Sequence, residues 1–185
     1  MKKYNIIYAD PPWKYSDKRQ HDPAYGGITY STMKTDDIAS LPVGNIAEKD
    51  SVLFLWATNP MLPDALKVMK AWGFKYKTVA FSWVKTNTKS GTYACMLGQW
   101  TMGSTEICLL GVKGHPKRIC KNIKQLVVEP RTGHSKKPLE IRDRIVALMG
   151  DVPRVELFAR ECGEGWDCIG NDIDGRDIRD VLKEE

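Results

Sequence analysis

A chain of 185 residues and 20.9 kDa has the size of one ordinary domain and leaves little room for a second. Hydrophobic residues make up 42% of it and charged residues 28%, which is enough for a core and excludes a disordered tail. The apolar run after the Met-Lys-Lys start is too short for a signal peptide or a membrane span. Five cysteines without a CxxC pattern favour a reducing compartment. We therefore expect one soluble, cytoplasmic domain over residues 1–185.

The hydrophobic pattern predicts strands and helices that alternate along the chain. Short apolar runs that end in turn residues predict strands over 4–9, 52–57, 77–85, 107–112, 126–128, 155–159 and 167–170. Apolar residues at helical spacing predict helices over 34–41, 63–72 and 138–150. Residues 14–32 and 87–103 carry glycines and no clear period, which indicates loops, the second of them mobile. The alternation predicts an α/β fold around a mostly parallel sheet.

The net charge of +5 is unevenly distributed along the chain. Residues 113–144 carry ten Lys and Arg against three acids, whereas residues 161–185 carry nine acids against three bases. A basic block of this kind is typical of proteins that bind the phosphates of nucleic acid. A solvated face with scattered lysines explains the same charge, so the block alone leaves both interpretations open.

The sharpest feature of the sequence is the tetrad Asp10-Pro11-Pro12-Trp13, which follows the first predicted strand. Ligands bind at such strand ends in open α/β sheets. The Asp10 carboxylate and the Pro11 carbonyl are neighbouring hydrogen-bond acceptors, and each can accept one N–H bond of an amino group. Pro12 adds no competing N–H donor, and Trp13 offers a face on which a base can stack, unless it packs into the core.

The tetrad and several later segments resemble the MT-A70 family, relatives of the eukaryotic mRNA adenosine methyltransferases. The segments similar to family motifs share its order and are Tyr30-Ser31-Thr32-Met33, Leu53-Phe54-Leu55-Trp56, Trp83-Val84-Lys85-Thr86-Asn87, Ser135-Lys136-Lys137-Pro138, Glu156-Leu157-Phe158-Ala159-Arg160 and Ile169-Gly170-Asn171. The resemblance implies a single Rossmann-like domain that depends on S-adenosylmethionine. It also implies a circularly permuted motif order, with the catalytic tetrad N-terminal and the cofactor residues C-terminal.

The resemblance also implies roles for individual residues. No metal is expected, because the sequence offers no close Cys/His cluster with zinc spacing. The catalytic residues would be Asp10, Pro11, Pro12 and Trp13. The cofactor would be bound by Asp10, Lys137, Arg160, Asn171 and Asp172. The target base would be bound by Trp13, Tyr30, Glu106 and Lys137, and Gly98, Trp100 and Glu106 are similar to positions in the family's substrate loop.

The resemblance implies methyl transfer to the N6 amino group of adenine in nucleic acid. That amino group is a poor nucleophile because its lone pair is delocalised into the ring. Hydrogen bonds from its two N–H groups to Asp10 and Pro11 would free the lone pair to attack the sulfonium methyl.

A compact catalytic domain resembles the small bacterial and phage members of the family, which favours DNA over RNA. A non-catalytic nucleic-acid-binding subunit is the alternative, but such a scaffold has no use for the Asp10 carboxylate. Cytosine amino-methylation is chemically close, although those enzymes more often carry Ser at the first tetrad position. So small an enzyme could also form a homodimer to grip a duplex.

Overall fold

A computed structural model describes residues 2–15, 30–96, 98, 100–131 and 136–184 of the chain. Seven strands form one sheet in the order β5-β3-β4-β2-β1-β6-β7. The strands are β1 (Tyr4–Ala9), β2 (Ala47–Ala57), β3 (Lys75–Thr86), β4 (Thr105–Lys113), β5 (Leu126–Pro130), β6 (Arg154–Leu157) and β7 (Asp167–Ile169). The helices are α1 (Thr35–Ala39), α2 (Val43–Ile46), α3 (Leu62–Ala71), α4 (Glu140–Met149), α5 (Asn171–Asp174) and α6 (Ile178–Glu184).

The predicted α/β fold with a mostly parallel sheet is confirmed. Pairs β1·β2, β1·β6, β3·β5 and β6·β7 are parallel, whereas β4 runs antiparallel to both of its neighbours, β2 and β3. The segment between β3 and β4 contains no helix in its described part, so β4 returns beside β3 as in a hairpin. As a result β1, β2, β3, β6 and β7 all end at the same edge of the sheet. A circular permutation of the motif order stays a prediction.

Strand β2 shows why the sheet carries helices on both faces. Its apolar half alternates between two core clusters, with Leu53 and Leu55 in one and Phe54 and Trp56 in the other. The first cluster also holds side chains of α1, α3 and α6, and the second holds side chains of α4. A strand buried on both faces reads as a continuous apolar run, which is the pattern that predicted β2 from the sequence.

Three features of the fold differ from the expectation or go beyond it. β2 begins at Ala47, five residues before the apolar run, because the polar segment 47–51 pairs with β1 and β4 without an apolar signal. The short helices α2, α5 and α6 were not predicted. The segment 87–103 has no helix or strand among its described residues, but isolated bridges pair Thr86 with Tyr93 and Met96 with Gly103. Its mobility stays a prediction.

The cysteines are not all free thiols. A disulfide joins Cys162, in the connection after β6, to Cys168 in β7, with their Cα atoms 5.6 Å apart. Because β6 and β7 are adjacent, the fold brings together two cysteines whose spacing gave no CxxC signal. Of the described helices, none is long and apolar enough to cross a membrane.

Candidate active site

The predicted site residues gather where three neighbouring parallel strands end. Asp10 directly follows β1, Phe158 directly follows β6, and Asn171 follows β7 after one glycine. The carboxyl ends of adjacent parallel strands form the usual ligand crevice of an open α/β sheet. The fold therefore brings together residues that lie up to 161 positions apart in the chain.

Two cavities open at this edge. The larger has a volume of about 540 Å³ and the smaller about 230 Å³, and Asp10, Phe158 and Arg160 line both. The first volume lies within the range of pockets that bind cofactor-sized molecules. Predicted site residues that line the larger cavity are Asp10, Pro11, Pro12, Tyr30, Arg160, Asn171 and Asp172. Predicted site residues that line the smaller cavity are Asp10, Lys137 and Arg160.

A chain of four charged side chains runs from the cavities into the protein. Lys137 Nζ lies 2.6 Å from Asp10 Oδ2 and 3.3 Å from Glu106 Oε2. The other oxygen of Glu106 accepts a hydrogen bond from Lys85 Nζ. Lys137, Glu106 and Lys85 are about nine-tenths buried, while the Asp10 side chain is 25% exposed. Two cations thus balance two carboxylates, and Asp10 is the solvent-accessible member of this row of four charged side chains.

The two carboxylates of this chain titrate in opposite directions. Burial raises the pKa of Asp10, Lys137 opposes that rise, and Glu106 adds to it. Burial also acts to raise the pKa of Glu106, but Lys137 and Lys85 together lower it below its ordinary value. For Lys137 burial acts to lower the pKa, and the Asp10 and Glu106 carboxylates raise it more strongly. Lys137 is therefore a permanent cation, and Asp10 is the carboxylate closer to protonation.

Glu106 was predicted to contact the target base, and the structure places it elsewhere. It lines neither of the two cavities among the described residues, because Lys137 lies between it and Asp10. Its measurable contacts are the ion pairs with Lys85 and Lys137. In this structure Glu106 therefore holds Lys137 in place and does not reach the cavities.

Backbone hydrogen bonds fix the tetrad. Pro12 accepts a hydrogen bond from the Met33 N–H at 2.8 Å, and Lys14 donates back to the Met33 carbonyl at 3.0 Å. The Trp13 N–H donates to the Pro11 carbonyl at 2.9 Å. A carbonyl oxygen has two lone pairs, so Pro11 keeps one acceptor site for a substrate. The segment around Met33 thereby clamps the turn that carries Asp10.

Trp13 was predicted to stack on the target base, and the structure places it in the core and outside the lining of both cavities, so a contact with the base stays a prediction. Only 5% of Trp13 is exposed, its ring packs in the core, and its indole N–H donates to the Trp56 carbonyl at 3.0 Å. Trp13 packs beside the end of β2, since its acceptor Trp56 belongs to that strand. Its function in this structure is to anchor the tetrad, which was the alternative that the sequence left open.

Tyr30 and Arg160 stack on each other, and both line the larger cavity. The Arg160 guanidinium carbon lies 4.6 Å from the centre of the Tyr30 ring, a cation–π distance. Phe158, two residues before Arg160, has a φ of 61°, which is rare for a residue with a side chain. Such conformations cluster at ligand sites. The turn after β6 is thus shaped to aim Arg160 at the cavity.

Gly170 allows β7 to approach the end of β6. A Cβ at this position would lie 2.2 Å from the Ala159 carbonyl oxygen and 2.6 Å from the Ala159 nitrogen. The close approach is held by a hydrogen bond from the Ala159 N–H to the Ile169 carbonyl. Only glycine fits here, and it places Asn171 and Asp172 at the cavity wall.

Sequence reasoning missed some residues of this site. The sequence indicated Lys85 only as part of a motif, although its position in the buried half of β3 requires a partner for its charge. Arg142 and Glu156 form an ion pair of 2.6 Å beside the smaller cavity. Ser135, part of the Lys137 motif, lies outside the described residues. In the part of the chain that the structure describes, no group of three or more His, Cys, Asp and Glu is placed to hold a metal ion.

Comparison with known proteins adds a family to this geometry. The family model described as MT-A70 matches residues 4–172. The type II methyltransferase M.MunI of Mycoplasma sp is 35% identical, over 93% of this chain and 78% of the relative. An N(6)-adenosine-methyltransferase MT-A70-like protein of Arabidopsis thaliana is 30% identical over 93% of this chain. The N(6)-adenosine-methyltransferase catalytic subunit METTL3 of Homo sapiens is 28% identical over 96% of it. The chain spans 24% of the plant relative and 30% of the human one.

Proposed function

Because this chain belongs to the MT-A70 family, we propose that it transfers a methyl group from S-adenosylmethionine to the N6 amino group of adenine in DNA. The observation that carries the proposal is the position of Asp10. Its carboxylate stands at the carboxyl end of β1, lines both cavities and is held by the buried Lys137. A carboxylate in this position can accept an N–H bond from a base in one cavity while a cofactor fills the other space.

The residues around the cavities fit S-adenosylmethionine. Asn171 and Asp172 follow β7, where amide and carboxylate groups suit the hydroxyls of a ribose. Arg160 and Lys137 supply positive charge for a carboxylate. When bound, the cofactor supplies an electrophilic methyl group on a sulfonium sulfur. The Asp10 carboxylate would supply a negative charge for the sulfonium, since it lines both cavities.

The chain's own groups prepare the adenine amino group. Asp10 accepts one of its N–H bonds and the free lone pair of the Pro11 carbonyl accepts the other. Both acceptors are held in place, Asp10 by Lys137 and Pro11 by the Trp13 N–H. Preorganised acceptors of this kind lower the barrier without a reorganisation cost. No strong general base is required, because the methylated ammonium is acidic enough to lose its proton to water.

Of the two aromatic residues predicted to bind the target base, Tyr30 is the one that lines the larger cavity, and we propose that the base stacks on it. Its ring lines the larger cavity and is backed by the Arg160 guanidinium. Trp13 instead fixes the turn, and Glu106 fixes Lys137. The residues proposed to touch the reacting groups are therefore Asp10, Pro11 and Tyr30, with Lys137 shared between base and cofactor.

The choice of DNA over RNA rests on the relatives. We do not base it on a residue that recognises the sugar. Similarity to the type II methyltransferase covers 78% of that protein, whereas similarity to the named adenosine methyltransferases covers 24% and 30% of theirs. Part of the basic block is engaged within the protein, as in the Arg142–Glu156 and Arg144–Glu140 pairs. The exposed Lys and Arg of the block that precede β5 are Lys117, Arg118, Lys121 and Lys124. Their segment starts at the end of the antiparallel strand β4, at the edge of the sheet opposite Asp10, so they do not support phosphate contacts beside the cavities. A homodimer, a single domain over the whole chain and a cytoplasmic location stay predictions.

The experiment that tests this function is methyl transfer from isotope-labelled S-adenosylmethionine to mixed-sequence DNA and RNA, followed by nucleoside analysis. We expect label in N6-methyladenine, more from DNA than from RNA. Asp10→Ala should abolish transfer, and Asp10→Asn, which keeps the shape and loses the charge, should reduce it by about a hundredfold or more. Thermal unfolding serves as the folding control for both variants, and calorimetry with S-adenosylmethionine measures separately how much the cofactor affinity depends on the Asp10 carboxylate.

Each other outcome changes a specific part of the proposal. A preference for RNA would replace DNA as the substrate. Unchanged turnover of Asp10→Ala would remove the tetrad from the mechanism. If the wild type neither transfers label nor binds the cofactor, the hypothesis of a non-catalytic nucleic-acid-binding scaffold with this fold would replace the proposal.

A further inference from the structure

A disulfide lies beside the candidate cofactor site and has no part in the reaction proposed above. It joins Cys162, in the connection after β6, to Cys168 in β7, and so closes a ring over residues 162–168. Glu161, which directly precedes this ring, lines the smaller cavity, and Asn171, three positions after Cys168, lines the larger one. Both ends of the ring therefore continue into the walls of the cavities.

The disulfide reinforces a strand that the rest of the sheet holds weakly. β7 is an edge strand of three residues, and in the described sheet it pairs with β6 alone. The ion pair between Lys2 and Asp167 of β7 is exposed, and exposed pairs stabilise a protein little. Short elements with few buried contacts open locally at a low cost in free energy. The covalent bond to Cys162 thus limits how far β7 can separate from the end of β6.

The two cysteines of this bond are accessible to solvent. Cys162 is an exposed residue, and Cys168 is partly exposed. Thiol–disulfide exchange proceeds when an attacking thiolate can reach one of the two sulfurs. In reducing compartments disulfides are rare, and those that form are usually transient and redox-sensing. The cysteine pattern of the chain favours such a compartment, so we expect this bond to form and break in the folded protein.

We propose that the disulfide between Cys162 and Cys168 is a reversible redox switch that sets the affinity of the site for S-adenosylmethionine. The inference rests on the proposed function, since it concerns the regulation of the cofactor site. In the oxidised form β7 is tied to the end of β6, which keeps Asn171, Asp172 and Arg160 together at the wall of the larger cavity. In the reduced form β7 separates more easily, so these groups are less often in place together and the cofactor binds more weakly.

The switch requires an external dithiol to open it and an external disulfide to close it. One thiolate of the dithiol attacks the Cys162 sulfur, the bond to Cys168 breaks, and Cys168 leaves as a thiolate that takes up a proton. The second thiol of the reductant then attacks the mixed disulfide and displaces Cys162 as a thiol. The protein gains two electrons and two protons, and the reductant leaves as its own disulfide. Closure is the reverse exchange with the external disulfide.

The direct test compares cofactor binding by the two redox forms of the same protein. Alkylation of the unfolded chain followed by mass spectrometry identifies each form, because three of the five cysteines are free thiols while the disulfide is intact. Calorimetry should give a Kd for S-adenosylmethionine about tenfold higher for the reduced form, which lies within the usual range of coupling between two sites. The same Kd in both forms, or a disulfide that dithiothreitol does not reduce in the folded protein, would overturn the proposal.

Thermodynamic linkage gives an independent readout that requires no variant. If reduction weakens cofactor binding about tenfold, saturating S-adenosylmethionine must make the disulfide harder to reduce by the same factor. The reduced fraction is measured against the ratio of reduced to oxidised dithiothreitol, with and without the cofactor. A midpoint that the cofactor leaves unchanged would contradict the proposal.

Serine variants test which thiols carry the effect. Cys162→Ser and Cys168→Ser should bind the cofactor as weakly as the reduced wild type, and reductant should no longer change their affinity. Cys95→Ser is the matched control, because Cys95 is an exposed free thiol, and it should keep both the affinity and the response. Thermal unfolding shows whether each variant is folded, and the comparison of the two wild-type forms does not depend on the variants. A response to reductant that persists in Cys162→Ser would assign the effect to another thiol and overturn the proposal.

The outcomes also separate this inference from the proposed function. Methyl transfer with equal cofactor affinity in the two redox forms would overturn the switch and leave the function intact. Redox-dependent cofactor binding without methyl transfer would support the switch and count against the function. Absence of cofactor binding in both redox forms would overturn both.

Discussion

Lys137 Nζ bridges two carboxylates, with Asp10 Oδ2 at 2.6 Å and Glu106 Oε2 at 3.3 Å. Asp10 stands 127 positions earlier in the chain and follows β1, whereas Glu106 belongs to β4. The bridge pushes the pKa of Glu106 down, while burial keeps the pKa of Asp10 up. Two carboxylates with opposite pKa shifts in one site usually have different functions. Here Glu106 is the fixed counter-charge and Asp10 is the group offered to ligands.

The pH dependence of methyl transfer should follow the ionisation of Asp10. Only the ionised carboxylate accepts an N–H bond without donating one, so activity should fall as the pH drops through its pKa. Because burial raises that pKa above its ordinary value of 3.8, the acid limb should lie above 3.8. Lys137→Met removes a cation that lowers the pKa of Asp10, so the limb should move to higher pH. Glu106→Gln removes a carboxylate that raises it, so the limb should move to lower pH.

The measurement is kcat/KM against pH for the wild type and both variants. The overall rate of Lys137→Met is expected to be low, and the position of the limb is the readout. Asp151→Asn serves as the control, since the Asp151 side chain is 87% exposed and should leave the limb in place. An acid limb at one common pH in all four proteins would show that Asp10 does not control the profile.

The buried pair of Lys85 and Glu106 should contribute to stability as a unit. Their side chains are 8% and 12% exposed, and removal of one partner from a buried pair typically costs about 3–5 kcal/mol. Lys85→Met should therefore lower the free energy of unfolding by several kcal/mol. The double variant Lys85→Met/Glu106→Gln should lose less than the sum of the single losses, because neither charge is left alone. Denaturant unfolding at neutral pH measures all three.

The pH dependence of stability has a definite sign for this pair. The pKa of Glu106 is lowered on folding, so its contribution is complete above its ordinary value of 4.5 and is lost as the pH falls through the lowered pKa. The stability difference between wild type and Glu106→Gln should shrink accordingly in acid. Lys67→Met is the control, because its pair with Asp36 is exposed and should change stability little. Additive losses in the double variant would contradict coupling between Lys85 and Glu106.

The sequence predicts the strands that consist of continuous apolar runs and the site residues that directly follow them. The apolar runs predicted β1 and the apolar half of β2. Asp10 and Asn171 follow predicted strands, and both line the larger cavity at the carboxyl ends of those strands. Arg160, which the resemblance places at a strand end near the cofactor, lines the larger cavity, and its contact with the cofactor stays a prediction. In each case the residue's position depends on its own strand and on the rule that parallel strands end together.

The remaining features depend on contacts between distant segments. Trp13 is buried because Trp56 accepts its indole N–H, and nothing near the tetrad shows that. Lys85 and Glu106 lie on adjacent antiparallel strands, so their pairing depends on the return of β4 beside β3. The disulfide between Cys162 and Cys168 likewise requires β7 to lie against β6. Local periodicity contains no information on these pairings.

Gly170→Ala should move Asn171 and Asp172, which follow β7, away from the end of β6. The added Cβ would lie 2.2 Å from the Ala159 carbonyl oxygen, so the backbone after β7 must move away from the end of β6. Overpacking of this kind costs about 1–3 kcal/mol. Because Asn171 and Asp172 move with that backbone, we expect cofactor affinity to fall about tenfold, measured by calorimetry. Gly103→Ala is the matched control, since a Cβ there meets nothing within 4 Å. A lowered thermal midpoint of Gly170→Ala would show that the added Cβ strains the backbone. If the cofactor affinity of that variant is nevertheless the same as in the wild type, Asn171 and Asp172 do not hold the cofactor.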